Sequence, residues 1–328
     1  MTSMSPAARP RIAAIDIARG VAILAMFVYH FTWDLAFLGF IDLDPTRSLP
    51  WIAFQKLIVG TFIFLTGVSL VLGHGSGIRW PAFWRRFAII AGAALLVTIG
   101  TYIFSAETFV YFGVLHAIAL FGLIGLFFLR APLGLVAILA AIIIAMPLVI
   151  QHPLFGEKLW SWIGLWDVPP PTEDLVPIYP WLGVALAGIV TARLALDSGF
   201  AARIATFRGT SPLSRLLAKM GRWSLVIYVL HQPILIGALM GISSLTGIGE
   251  GRRADNFLAS CEATCGQSSP EQSWCVAYCA CSLDAVEADD LWPILAAPER
   301  TPAQDATLTA LANRCAADVL DEQMLNPD

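Results

Sequence analysis

Charge is what this chain has least of. Only 13% of its 328 residues are charged while 57% are hydrophobic, and the mean hydropathy is +0.72. A soluble domain averages roughly 45–50% apolar and about 25% charged. That deficit excludes an ordinary soluble domain and predicts an all-α polytopic membrane protein. Cysteine is absent until Cys261, and histidine is absent after His231. The chain also lacks a Walker loop, a Rossmann glycine run, a zinc motif and a G-x-S-x-G elbow. Soluble-enzyme templates built on those motifs are therefore excluded. No metal is expected, and nucleic acid is not among the expected partners.

What charge there is divides unevenly. From Glu250 onward there are 14 acidic and 4 basic residues, out of totals of 24 and 20, so the preceding body carries 10 acidic and 16 basic. The body is basic and the tail acidic. Apolar segments of spanning length fall at about 15–38, 51–72, 87–105, 109–129, 132–150, 178–196 and 223–245, which predicts about seven transmembrane helices. The first is interrupted by Asp16 and Arg19 and reads as a retained span rather than a cleaved leader. The resulting division is a cytoplasmic segment 1–14, a membrane domain 15–246 and a tail 247–328.

Loop charges predict orientation. An N-terminus in the cytoplasm gathers Arg9, Arg11, Arg19, Arg79, Arg85, Arg86, Arg130, Arg193, Arg203, Arg208, Arg215, Lys219 and Arg222 on the inner side, leaving Arg47 and Lys158 in outer loops. An odd number of spans then puts the tail in an extracytoplasmic, oxidising compartment, where its six cysteines read as disulfides. Their spacing, C-x3-C-x9-C-x3-C-x-C with a distant Cys315, predicts two short helices clasped together, in one of 15 connectivities. A zinc site is the competing reading, weakened by the missing histidine.

The stretch Arg11–Asp34, RIAAIDIARGVAILAMFVYHFTWD, is apolar enough to span yet carries Asp16, Arg19, His30 and Asp34. On an ideal helix these four fall within about 60° of one another, and Arg19 lies roughly 16.5 Å from His30 along the axis. Ionisable groups inside a bilayer are costly, so such a stripe marks a functional site. Arg19 either snorkels or holds a phosphate-rich ligand, with Asp16 three positions away to orient it. His30 with Asp34 at i+4 has the form of an oriented general base. Two further spans carry histidine: His116 in GVLHAIAL, and His231 in SLVIYVLHQP, where Ser224, Tyr228 and His231 share a face. Three histidines at similar depth predict a lined cavity. Gly60, Gly67 and Ser69 read as helix-packing residues, and His74 and His152 as loop residues without a role. Trp160, Trp162 and Trp166 read as an interfacial belt or a sugar platform, and Glu173 and Asp174 as hydroxyl-binding or merely solvated groups.

These residues resemble a family. R-x4-D-x2-R-G (Arg11, Asp16, Arg19, Gly20) runs into M-x3-H (Met26, His30); F-x-F-x2-G-x-S follows (Phe62, Phe64, Gly67, Ser69), then GVLHAIAL, PIYPWLGVALAG and S-x3-Y-x2-H-x-P (Ser224, Tyr228, His231, Pro233). In order and placement over about 11–245 they resemble the heparan-alpha-glucosaminide N-acetyltransferase catalytic-domain-like proteins, within the transmembrane acyltransferase superfamily. The R-x10-H spacing of Arg19 and His30 is similar to that of the sugar O-acetyltransferases.

The resemblance implies acetyl (acyl) transfer from cytosolic acyl-CoA to a hydroxyl or amine of an extracytoplasmic glycan or glycolipid. It implies Arg19, Asp16 and Arg11 at the donor and His30, oriented by Asp34, as base. It leaves His231, Tyr228 or His116 to stabilise the oxyanion or line the tunnel. The position matching His30 looks like Asn in the lysosomal branch, whose histidine lies in the next outer loop; here Leu35–Pro50 holds none, as in the O-acetyltransferase arrangement. A bacterial inner membrane is the expected location, the bilayer an expected partner, and a homodimer is compatible. The rival class is a proton-coupled transporter using the same His and Asp residues; no inverted repeat accompanies it.

Overall fold

The computed structural model describes residues 12–207, 209–268, 272–295, 297 and 300–325. Among them the chain is helical, with no strand beyond an isolated parallel bridge between Phe112 and Leu175. The chain divides into two compact units, Met1–Trp33 with Asp44–Ile236, and Asp34–Leu43 with Gly237–Asp328.

Five helices are long and apolar enough to cross a membrane: α1 (Ala13–Phe37), α2 (Leu49–His74), α3 (Trp80–Phe104), α6 (Ile178–Asp197) and α9 (Ser224–Thr246). The fourth and fifth predicted spans are occupied by shorter apolar helices, α4 (Val114–Phe128) and α5 (Leu133–Ala145), the latter continued by a 3₁₀ turn to Leu148. At 1.5 Å per residue α4 is only about 22 Å long, short of a hydrocarbon core of about 30 Å. Two local causes are visible. Residues 109–113 run extended beside 172–176, with the Val176 N–H on the Phe112 carbonyl at 3.0 Å, so α4 starts late. Pro147, lacking an N–H, cannot continue α5.

The first unit is built like a bundle in lipid. α3 leaves Leu95, Leu96, Ile99 and Ile103 uncovered, Ile103 to 80%, a display a water-soluble surface does not carry. Its core lies where α2, α4 and α5 pack on α6. Small residues set those distances. A Cβ on Gly67 would lie 2.0 Å from the Ala185 carbonyl, and one on Gly188 2.2 Å from that of Phe64, so α2 and α6 meet backbone to backbone.

The predicted inner loop before the last span contains two helices, α7 (Phe200–Thr206) and α8 (Pro212–Arg222). Ser211 caps α8 by accepting the Ser214 N–H, and Pro212 starts it. α8 and α1 touch through a second glycine pair: a Cβ on Gly221 would meet the Asp16 carbonyl at 1.8 Å, one on Gly20 the Leu217 carbonyl at 2.0 Å. The polar register of α1 is thereby fixed against α8.

The second unit is a small, stapled one. α10 (Ile248–Ser268) and α11 (Gln272–Ala288) form an antiparallel hairpin joined by Cys261–Cys279 and Cys265–Cys275. After the short α12 (Trp292–Leu295), Cys281–Cys315 ties α11 to α13 (Pro302–Leu325). The clasp thus involves three long helices rather than two. All six cysteines are in disulfides, which removes the thiolates that the zinc reading needed. Buried Val286, Leu291 and Leu311 form a modest core, and a unit this small gains from such staples.

Candidate functional site

α1 is one unbroken helix, so the stripe read from the sequence exists as a face. Asp34 is fully buried, while Asp16, Arg19 and His30 are half-buried; Val21, Leu24, Phe27, Val28 and Phe31 carry the exposed apolar side. A merely solvated Asp34 is excluded by that burial. Arg11 lies outside the described residues.

At the beginning of α1, Arg19 Nη1 sits 3.5 Å from Asp16 Oδ1, the i,i+3 pair expected. Its other terminal nitrogen donates to Ser69 Oγ on α2. Ser69 is therefore a partner of the guanidinium as well as a small packing residue. Two neighbours were missed by sequence reasoning. His74 is the last residue of α2 rather than a loop residue, and its Nδ1 accepts the Arg79 N–H at 3.2 Å. Arg86 of α3 lines, with His74, Thr66 and Phe83, a cleft between α2, α3 and α4. Arg86 makes no hydrogen bond or ion pair among the described residues, and the like charges of Arg86 and Arg19 act on each other. Only the cluster of Arg79, Arg85 and Arg86 at the start of α3 signalled this end in the sequence.

Eleven residues along α1 lies the second cluster. The His30 ring stands edge-on to His231 of α9, centroids 4.8 Å apart. His231 Nδ1 is 2.7 Å from the Tyr228 carbonyl. A carbonyl only accepts, so Nδ1 carries the proton, and in the neutral ring Nε2 keeps its lone pair. That Nε2 is buried and has no hydrogen-bond partner among the described residues. An oriented imidazole with a free lone pair beside a second imidazole is equipped to take up or stabilise a proton. Pro233 follows two residues on, depriving the Val229 carbonyl of its usual helical donor.

The other candidates sit differently. Tyr228 directs its hydroxyl to Asp174 Oδ2 at 3.4 Å. His116 has both ring nitrogens engaged: Nδ1 accepts the Gly113 N–H at 3.2 Å, and Nε2 lies 3.2 Å from Thr98 Oγ1, whose hydroxyl donates to the Val110 carbonyl at 2.7 Å. It closes the first turn of α4 and ties it to α3. No hydrogen bond or ring contact joins it to His30 or His231 among the described residues, so the three-histidine cavity reduces to a pair. His152 accepts the Leu154 N–H and caps a 3₁₀ turn. Trp162 donates to the Leu159 carbonyl and packs by Phe112, while Trp160 stays 41% exposed.

Residues 11–233 match the family model described as heparan-alpha-glucosaminide N-acetyltransferase, catalytic. No curated protein and no solved structure matches the chain.

Proposed function

Because this chain belongs to the heparan-alpha-glucosaminide N-acetyltransferase catalytic family, whose activity is acetyl transfer, we propose that it moves an acetyl group from acyl-CoA to a hydroxyl or amine of a glycan across the bilayer. The body 15–246 would span a bacterial inner membrane with its N-terminus inside, and the disulfide-bearing tail 247–328 would lie outside. The acceptor is a cell-envelope glycan or glycolipid. The observation that carries this reading is the buried, unpartnered Nε2 of His231 beside His30. The family match lends no support to a carrier.

The donor's phosphates belong at the Arg19 end. Arg19, braced by Asp16 and Ser69, offers a fixed guanidinium, and Arg86, unpaired among the described residues, adds a second positive charge to the adjoining cleft. Guanidinium suits phosphate oxygens through its planar fork. The extended pantetheine arm covers the roughly 16.5 Å between Arg19 and His30.

At the far end His30 takes the proton of the acceptor hydroxyl or amine as the acceptor attacks the thioester carbonyl. The carbonyl becomes a tetrahedral oxyanion. Its collapse breaks the C–S bond, and the proton held by His30 passes to the departing thiolate. His231, its tautomer set by the Tyr228 carbonyl, presents a lone pair where His30 gains positive charge. Asp34, one turn along α1, is a fully buried carboxyl.

The test is acetyl-CoA turnover by purified protein in detergent, followed as thiol release with envelope glycan as acceptor. Turnover by the wild type and its loss in His30→Ala, with CoA binding kept, is the expected result. Full activity of His30→Ala sinks the base assignment, and absence of wild-type turnover sinks the donor.

A further inference from the structure

One half-buried carboxyl has no part in that chemistry. Asp174 lies in the segment before α6, and its Oδ2 accepts the Val114 N–H at 2.8 Å and the Tyr228 hydroxyl at 3.4 Å. Val114 is the first residue of α4, where free N–H groups and the helix dipole favour a negative charge. The segment is held on both sides of Asp174: Thr172 Oγ1 donates to the Phe109 carbonyl at 3.0 Å, and the Glu173 N–H to that of Thr108 at 2.8 Å. Gly113 lets the carboxyl come this close, since a Cβ there would lie 2.3 Å from Oδ2. Tyr228 is one helical turn before His231, and its own carbonyl holds the His231 Nδ1–H. One tyrosine therefore joins Asp174, through its hydroxyl, to the ring whose Nε2 is free, through its backbone.

We propose that Asp174 is a positioning residue for the transfer site, anchoring Tyr228 and through it the ring of His231, with an anchor that strengthens as the carboxyl ionises. The activity part of this rests on the acetyl-transfer reading; the contact itself does not.

An ionised carboxylate is the better acceptor for both donors. Burial raises Asp174 to about 6, against the opposing pull of the Val114 N–H and the Tyr228 hydroxyl. The titratable groups around it are Tyr228 on α9, bonded to it; His116 on α4, occupied by Gly113 and Thr98; Glu173, turned to the Thr108 hydroxyl at 2.7 Å; and Tyr111, bonded to Ser161 at 2.6 Å. The folded carboxyl thus holds its proton to higher pH than the unfolded one. Stability is complete below the unfolded value near 4 and declines as pH rises from there through about 6.

Two measurements on full-length protein in detergent test this. The first is the thermal midpoint from pH 4 to 8. Wild type should lose stability across the interval from about 4 to 6, and Asp174→Asn should not; parallel curves overturn the inference whatever the enzyme's activity. The second is the pH profile of acetyl transfer. Wild type should show an acid limb with a component near pH 6 that Asp174→Asn loses, keeping only the limb of the general base, and Asp174→Ala should lose about tenfold in kcat with the KM for acetyl-CoA unchanged. Tyr228→Phe should reproduce the loss, and Asp174→Asn combined with Tyr228→Phe should be no worse than Tyr228→Phe alone. An acid limb identical in wild type and Asp174→Asn, or additive losses, overturns the positioning role. A wild type that transfers no acetyl refutes the acetyl-transfer reading and with it that role, while the thermal comparison still decides the contact.

Discussion

His116 and His231 are the same residue type on neighbouring apolar helices, yet the structure uses them oppositely. At the start of α4 both nitrogens of His116 are engaged, one by the Gly113 N–H and one by Thr98. On α9 only Nδ1 of His231 is held, and Nε2 is left bare beside His30. A histidine bound at both nitrogens organises backbone, whereas one bound at a single nitrogen is oriented and still free to react. The position of His116 explains its use. It lies at N3 of α4, where the backbone leaves N–H groups unsatisfied, while His231 lies mid-helix, where they are already paired.

That contrast is broken most severely by substitution at the pair. His30→Ala should lower kcat/KM for acetyl transfer by about 10²–10⁴-fold, the usual contribution of a positioned general base, with the protein still folded. His231→Ala should follow it, and the double variant should lose little more than the worse single one because the two rings act as a unit. A loss under about threefold at both positions would leave the pair without a catalytic role. The donor end should respond next. Arg19→Ala should weaken acyl-CoA binding by about tenfold or more, in line with a charge-assisted bond, with a smaller effect on kcat; unchanged affinity in a binding isotherm would remove the phosphate role. Arg86→Ala should weaken binding in the same sense.

His116→Ala supplies the other half of the comparison. It should cost about 1–3 kcal/mol of stability through its unpaired buried partners, visible as a lower thermal midpoint, while turnover per folded molecule changes far less than for His30→Ala. An inverted result, with full stability and abolished turnover, would move the reactive site to α4. The smallest effect on turnover belongs to the tail. Thiol labelling of unreduced, denatured protein should find essentially no free cysteine, and six after reduction. Loss of the Cys281–Cys315 bond, which closes the longest loop, 34 residues, should loosen the tail by about 3–4 kcal/mol. Turnover by the membrane body should barely change.

Much of the site was legible because it lies on one helix. Asp16, Arg19, His30 and Asp34 share a face by the 3.6-residue period alone, and the Arg19–Asp16 pair follows from i,i+3 spacing. Ser69, His74 and Arg86 were not legible as one group, since nothing local says that the end of α2 and the start of α3 close on Arg19. The partners of Asp174 were not legible for the same reason. In sequence it is a loop carboxylate beside Glu173, and only the pairing of 172–176 with 108–112 puts it on the first N–H of α4. The expectation of two clasped helices in the tail fell short by one because the partner of Cys281 lies 34 residues on.

The sequence by itself determined what the solvent imposes and what a helix repeats: an apolar all-helical body, a polar stripe of set axial spacing, and cysteines arranged to cross-link a small unit; that only five of its seven apolar segments form helices of spanning length was decided by the structure. Only tertiary structure decided which histidines meet and which carboxyl is buried. Those outcomes depend on helix depth and rotation. Close backbone contacts, Gly20 with α8 and Gly67 with α6, lock both to within the width of a methyl group, a constraint between distant segments that no local pattern encodes.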